Sequence, residues 1–310
     1  MTARETLLLV EKCSHCISWY DIGTGERFHT LELDHYPHEF VTDGAGRTAW
    51  IGHYGVETSG HSGAGGHVLF QVDIAGGRLE RTIDLSPYNR LHGMQMDSRD
   101  RLYVLSEEKS TLLVLDEPKT DAGPKRAVSS AGIKSHLFAL TRDGAAAYCM
   151  NLLSHTVARV SPWDPLAAPR LCAPGQKPEG CCLSADEQTL YVTNRWSNTL
   201  AAIDTATMQV RCTAASRSDP TRINRFRDGR LFVSNYGDCS LSVASPADLS
   251  ETAYVKLEAR AIAVSFHPSR ALAFISLDDD RVAILDTDEL SIRGYIPTQR
   301  EPDVSKVVFV

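Results

Sequence analysis

The stretch LYVTNRWSNTLAAID (190–204) reads as a β-hairpin: an alternating β-rich strand, a short polar turn, and a second apolar strand returning. The same pattern recurs as LLLVEKCSHCISWYD (7–21), TAWIGHY with VLFQVD (48–73), LYVLSEEKSTLLVLD (102–116), AYCMNLLSHTVARVS (147–161), LFVSNYGDCSLSVAS (231–245) and LAFISLDDDRVAILD (272–286). Most successive starts lie 41 to 44 residues apart, and the one wide interval, from Thr48 to Leu102, contains a glycine-rich insertion at 54–66. That period is the length of a four-stranded propeller blade.

A further strand precedes each hairpin and ends in a polar turn such as Asp43-Gly44, Asp143-Gly144 or Asp228-Gly229, while a fourth follows it, as in RTIDL (81–85). The first blade lacks its leading strand, and DVSKVVFV (303–310) at the end of the chain can supply it. The expectation is a single all-β domain over 1–310, a seven-bladed β-propeller of four-stranded antiparallel blades. Its ring is closed by the C-terminal strand pairing in the N-terminal blade, which leaves no exposed edge. LYVTNRWSNTLAAIDTATMQV (190–210) resembles the repeat of YVTN-type propellers. YPHEFVTDG (36–44) and SHLFALTRDGAAAYCMN (135–151) are loosely similar to blades of propeller lactonases of the 6-phosphogluconolactonase type. The first resemblance implies the architecture; the second implies ester-ring opening.

The chain has 310 residues, is 43% hydrophobic and 23% charged, and carries a formal charge of -7 with no basic stripe. This balance argues against nucleic acid and acidic membrane surfaces as partners and favours a small-molecule substrate, with oligomeric state left open. The apolar run near the N-terminus is four residues long, too short for a signal-peptide core, so the expected location is cytoplasmic with the eight cysteines as thiols.

In a propeller the leading strands of the blades begin at one mouth of the central channel, so equivalent residues there converge. Counting back four from the last residue before each inner turn gives His38, His92, His136 and Glu179 in blades two to five, then Thr221 or Arg222, Ile262, and Asp303 in the closing strand. Three imidazoles flanked by carboxylates suit divalent zinc, iron, manganese or nickel, with His38, His92, His136 and Glu179 as candidate ligands. The apolar Ile262 side leaves an open coordination position for water or substrate. Glu179, Asp303, His53 and Arg222 are the candidate catalytic groups, as base, supporting carboxylate or cationic clamp.

Loops at the same mouth add candidate substrate contacts: His61 on the insertion 54–67, read as a lid, together with His155, Arg195, Trp196 and Tyr236. His67 and Asp238 lie on the same loops, and the segments SEEKS (106–110) and LDDDR (277–281) read as solvated. Cys13 and Cys16 form a Cys-x-x-Cys without a second pair or a helix N-terminus to lower a thiol pKa, so they read as structural. Adjacent Cys181 and Cys182 point to opposite faces of one strand, and His267 reads as a turn residue.

The leading functional expectation is a metal-dependent enzyme acting on a small polar organic molecule, by lyase, hydrolase or oxygenase chemistry. A metal-independent lactonase is the second. Against it, Leu152 stands where the lactonase blade carries an acidic residue after the asparagine. A non-catalytic protein-interaction propeller is the third.

Overall fold

The computed structural model describes residues 4–310, and within them seven four-stranded antiparallel sheets, one for each predicted blade, form a seven-bladed β-propeller. The predicted hairpins fall on paired strands: Thr189–Asn194 pairs with Thr199–Asp204, and Glu5–Glu11 with Cys16–Asp21. The last strand, Pro302–Phe309, lies antiparallel beside Glu5–Glu11 with Leu7 opposite Val307 and Leu9 opposite Ser305, as the missing strand of blade one requires. No helix among the described residues is long and apolar enough to cross a membrane.

Two compact units make up the fold: the chain up to His92 with Ala261–Val310, and Gly93–Arg260. Within the first, both faces of the inner strands are covered, which is why LLLV (7–10) is apolar without alternation. Leu8 and Val10 pack with Phe40, Ile51 and Phe70 of blade two, while Leu7 and Leu9 pack with Phe274 and Val282 of blade seven. The second unit is built the same way, with Tyr103 and Leu112 against Phe138 and Cys149, Tyr148 and Val157 against Leu190 and Val192, and Tyr191 and Leu200 against Ile223 and Val233. Cys181 joins the cluster on one side of its blade and Cys182 that on the other, as their adjacency demands.

The leading strands begin in a common way that fixes the site. Tyr36, Arg90, Lys134, Lys177, Asp219 and Glu301, each immediately before such a strand, are left-handed at φ between 52° and 58°. None is glycine, so each conformation is held by its surroundings at a cost of about 1 kcal/mol. In five blades the holding group is a side chain from the turn between the second and third strands of the preceding blade. It accepts the N–H of that left-handed residue: His15 Nδ1 from Tyr36 at 3.1 Å, Ser110 Oγ from Lys134 at 3.0 Å, and His155 Nδ1 from Lys177 at 3.0 Å. Asn198 Oδ1 does the same for Asp219 and Asp280 Oδ1 for Glu301, both at 2.8 Å. These acceptors are themselves left-handed, at φ between 47° and 63°. Asn198→Ala is expected to cost about 1 kcal/mol through the orphaned N–H of Asp219, while Asn198→Asp keeps the acceptor and most of the stability. Urea midpoints check this, and an unshifted midpoint for the alanine variant would contradict it.

Candidate functional site

A β-bulge follows the left-handed residue in most of these strands, and the leading strand of blade seven carries one as well. The pairing register shifts between Pro37 and Phe40, Ser135 and Phe138, Pro178 and Cys181, Pro220 and Arg222, and Ala261 and Ala263. In those five strands the second residue sits on the irregular segment, where a bulge re-aims side chains, and the same position can be read in all seven leading strands. Those residues are His38, His92, His136, Glu179, Thr221, Ile262 and Asp303, the set read from the sequence, with Thr221 rather than Arg222 in the register position.

In the first unit His38 and His92 are buried with ring centroids 4.3 Å apart at 66°. The Tyr54 ring stands edge-on to both, at 5.2 Å from His38 and 5.3 Å from His92. Glu39 completes the group: one donor atom from each of His38, Glu39 and His92 lies within 4.8 Å of the others, with His92 Nδ1 3.9 Å from Glu39 Oε1. Asp303 Oδ2 approaches His38 Nδ1 to 2.6 Å, yet the geometry is not that of a hydrogen bond. Behind it lies Lys12, buried and paired with Glu301. Burial pulls the Lys12 ammonium down, but Asp303 and Glu301 more than offset this and hold its pKa above the ordinary value.

The second unit holds His136 and Glu179 in different company. His136 Nδ1 makes a 2.5 Å hydrogen bond with Glu107, and its Nε2 is 4.0 Å from Glu179 Oε1. Glu179 accepts both Nη1 contacts of Arg195, at 2.9 and 3.2 Å, and Asp219 takes the other edge of the same guanidinium at 2.5 and 2.6 Å. Burial raises the Glu179 pKa, but His136, Arg195 and Arg222 together outweigh it and hold the carboxyl below its ordinary 4.5. With a lowered folded value, the ionised form's contribution to stability is complete above pH 4.5 and disappears as pH falls through the folded pKa. Glu179→Gln is therefore expected to flatten the stability curve below that pH by about one proton's worth of slope. Urea unfolding at stepped pH reads it, and a slope equal to that of the wild type would contradict it.

Each unit thus holds part of the sequence-derived ligand set. His38 and His92 come together with Glu39, while His136 and Glu179 are engaged by Glu107 and Arg195. Glu39 escapes a sequence reading because strict alternation sends consecutive residues to opposite faces, and the bulge removes that rule here. Glu107, read as part of a solvated segment, is turned inward and buried.

The rim residues are also placed. His53 ends its strand half-buried, and burial holds its imidazole pKa below the ordinary value. Its ring occupies the space that a side chain on Gly66 would need, with Cγ 2.2 Å from that ideal Cβ position, so only glycine fits there. The insertion read as a lid is strapped down: the Arg90 guanidinium donates to the carbonyls of Ser59, His61 and Gly63, and Tyr54 is buried. His61 is exposed and bonded to Thr58, and the half-exposed His67 faces Asp84 at 3.7 Å. His155 is the turn acceptor for Lys177 and also tilts against Trp196, which is 57% exposed. Tyr236 and Asp238 belong to a single 3-10 turn, with Arg217 on Asp238.

Cys13 lies within another such turn, Lys12–Ser14, and Cys16 opens the strand that follows it. Burial, reinforced by Glu301 for Cys13 and Glu11 for Cys16, pushes both thiols up to about 12, so neither is a ready thiolate. His267 is a turn residue, its Nδ1 accepting the N–H of Ser269 and Arg270.

Solved structures share this fold. A protein from Desulfotomaculum acetoxidans DSM 771 described as functionally unknown matches with a TM-score of 0.79 at 12% identity over 97% of this chain and 98% of its own. Dihydro-heme d1 dehydrogenase NirN, solved in complex with DHE, matches with 0.72 at 11% identity over 97% of this chain and 74% of its own. A chain of the mitotic checkpoint complex matches with 0.75 at 12% identity over 90% and 83%. At these identities the likeness is one of fold. No family model and no curated protein matches the sequence.

Proposed function

We propose that this propeller is a metal-dependent enzyme whose divalent ion is held by His38, Glu39 and His92, acting on a small polar organic substrate. The observation that carries the reading is the convergence of these three buried donors within 4.8 Å, on a bulge that presents consecutive residues to one point. Two neutral imidazoles and one carboxylate form the donor set of catalytic zinc, and equally of non-haem iron, with positions left for water and substrate. When bound, such an ion supplies Lewis-acid polarisation or an acidified water.

The chain's own groups then have distinct tasks. Glu39 and Asp303 are buried carboxylates whose charge a cation would offset, and Lys12 balances Asp303 from behind. Asp303, 2.6 Å from His38 Nδ1, would serve as a carboxylate that takes a proton beside that ring. Tyr54 covers the imidazole pair and limits the water that reaches it. Titrating zinc, manganese, nickel or cobalt into chelator-treated protein is expected to give one site per chain for at least one of these ions. A featureless titration with all four would end the proposal.

One observation favours a second reading. The buried Glu107 hydrogen-bonded to His136 is the arrangement of a general base and its orienting carboxylate, with Arg195 and Arg222 near Glu179 as cationic partners. It suits ester-ring opening without metal, in keeping with the lactonase-like blades. Hydrolysis of simple lactones unaffected by chelator would select it.

A further inference from the structure

Lys177 and Trp196 stand together at the edge of blade five. The Lys177 ammonium is 5.4 Å from the centroid of the exposed Trp196 indole, and the His155 ring is 5.5 Å from the same indole. Arg195 lies on the other side of Lys177 in the hydrogen-bonded ladder, its N–H donating to the Lys177 carbonyl at 3.0 Å. Beyond it, Tyr236 has the Arg195 guanidinium 5.9 Å from its ring and that of Arg260 at 5.0 Å. Three cations and two aromatic rings with exposed or half-exposed faces thus follow one another along one border of the second unit.

Glu179 and Asp219 neutralise Arg195, so the charge offered to a ligand there is that of the half-buried Lys177 ammonium beside Trp196. Glu179 and Asp219 are both bound to Arg195, whose planar fork they hold in place. At Lys177 burial and the neighbouring Arg195 charge outweigh the pull of those same two carboxylates and lower the ammonium pKa. A half-buried ammonium that has lost part of its hydration is stabilised by an incoming anion. A tryptophan left 57% exposed beside it offers a flat surface on which a planar group stacks.

We infer that Lys177, Trp196, His155, Arg195, Tyr236 and Arg260 form a binding site for a small anionic molecule carrying a carboxylate or phosphate group on a planar ring. The site lies wholly within the second unit and goes beyond the metal reading. Binding itself requires no metal.

The test is calorimetric titration of benzoate, phenyl phosphate, inorganic phosphate and benzyl alcohol into the full chain, as purified and again after chelator treatment. Benzoate or phenyl phosphate is expected to bind at least ten times more tightly than benzyl alcohol, and phenyl phosphate at least ten times more tightly than inorganic phosphate. Lys177→Ala and Trp196→Ala are each expected to weaken the favoured ligand about tenfold, equivalent to about 1.4 kcal/mol. The remote charge variant Lys119→Ala is expected to leave it unchanged. Circular dichroism confirms that the variants fold, and Lys177→Arg, which keeps the charge, restores most of the affinity if the full truncation is unstable. Equal affinity for charged and neutral probes, equal affinity for phosphate with and without the ring, or no effect of either variant would overturn the inference. Because the metal-free protein is expected to bind equally well, a failure here is separable from a failure of the metal reading.

Discussion

Replacing both His38 and His92 with alanine is expected to lower the affinity for the bound divalent ion by a hundredfold or more, while His136→Ala leaves it nearly unchanged. Losing even an outer partner of a ligand costs about 10- to 100-fold in metal affinity, so losing two of three direct donors costs at least that. Glu39→Gln, which keeps the shape of the side chain and removes its charge, is expected to give an intermediate loss. Competition against a metal-buffering chelator measures all four proteins on one scale. The His136 variant makes the comparison informative, because a channel that binds metal through all three register histidines would weaken equally with each. In the second unit the His136 Nδ1 is hydrogen-bonded to Glu107 at 2.5 Å, and its Nε2 lies 4.0 Å from Glu179 Oε1. The double alanine variant also frees Tyr54 of its two edge contacts, so thermal denaturation should accompany the measurement to show that the blade is intact.

The second large effect concerns stability. Arg195→Ala is expected to destabilise the fold by about 3 kcal/mol, the low end of the cost of stranding a buried charge, because His136 and Arg222 remain close to Glu179. Asp219 is less buried and recovers some hydration, so most of the loss comes from Glu179. Combining Arg195→Ala with Glu179→Gln is then expected to return about half of it, since the stranded charge is gone. Urea unfolding of the two single variants and the double variant reads the cycle. A loss for Arg195→Ala within about 0.5 kcal/mol of zero would mean that the ion pair is a solvated surface pair instead.

The repeat was legible because each blade buries both faces of its inner strands. Uninterrupted apolar runs such as Leu7 to Val10 therefore recur at blade spacing, and the unpaired first hairpin called for a partner from the end of the chain. The register of the second residue in each leading strand was legible for a related reason. The inner turns are uniform, so counting back from them reaches His38, His92, His136, Glu179 and Asp303 without error. What the count could not supply was neighbours. Glu39 is adjacent to His38 in sequence and belongs to the opposite face of any regular strand, and only the bulge brings both to one point. Glu107 lies in a run of charged turn residues whose exposed members, Glu108 and Lys109, are indistinguishable from it by composition. His15 and His155 carry the reverse lesson, since each serves as the backbone acceptor that Ser110, Asn198 and Asp280 supply in other blades.

The most direct test of the metal centre is a pair of diffraction data sets, collected above and below the absorption edge of the ion that the titration favours, from crystals grown with it. The account predicts one anomalous peak about 2.0 to 2.2 Å from a ring nitrogen of His38, a ring nitrogen of His92 and a carboxylate oxygen of Glu39. A map with no peak there, or with its peak on His136 and Glu179, would contradict it.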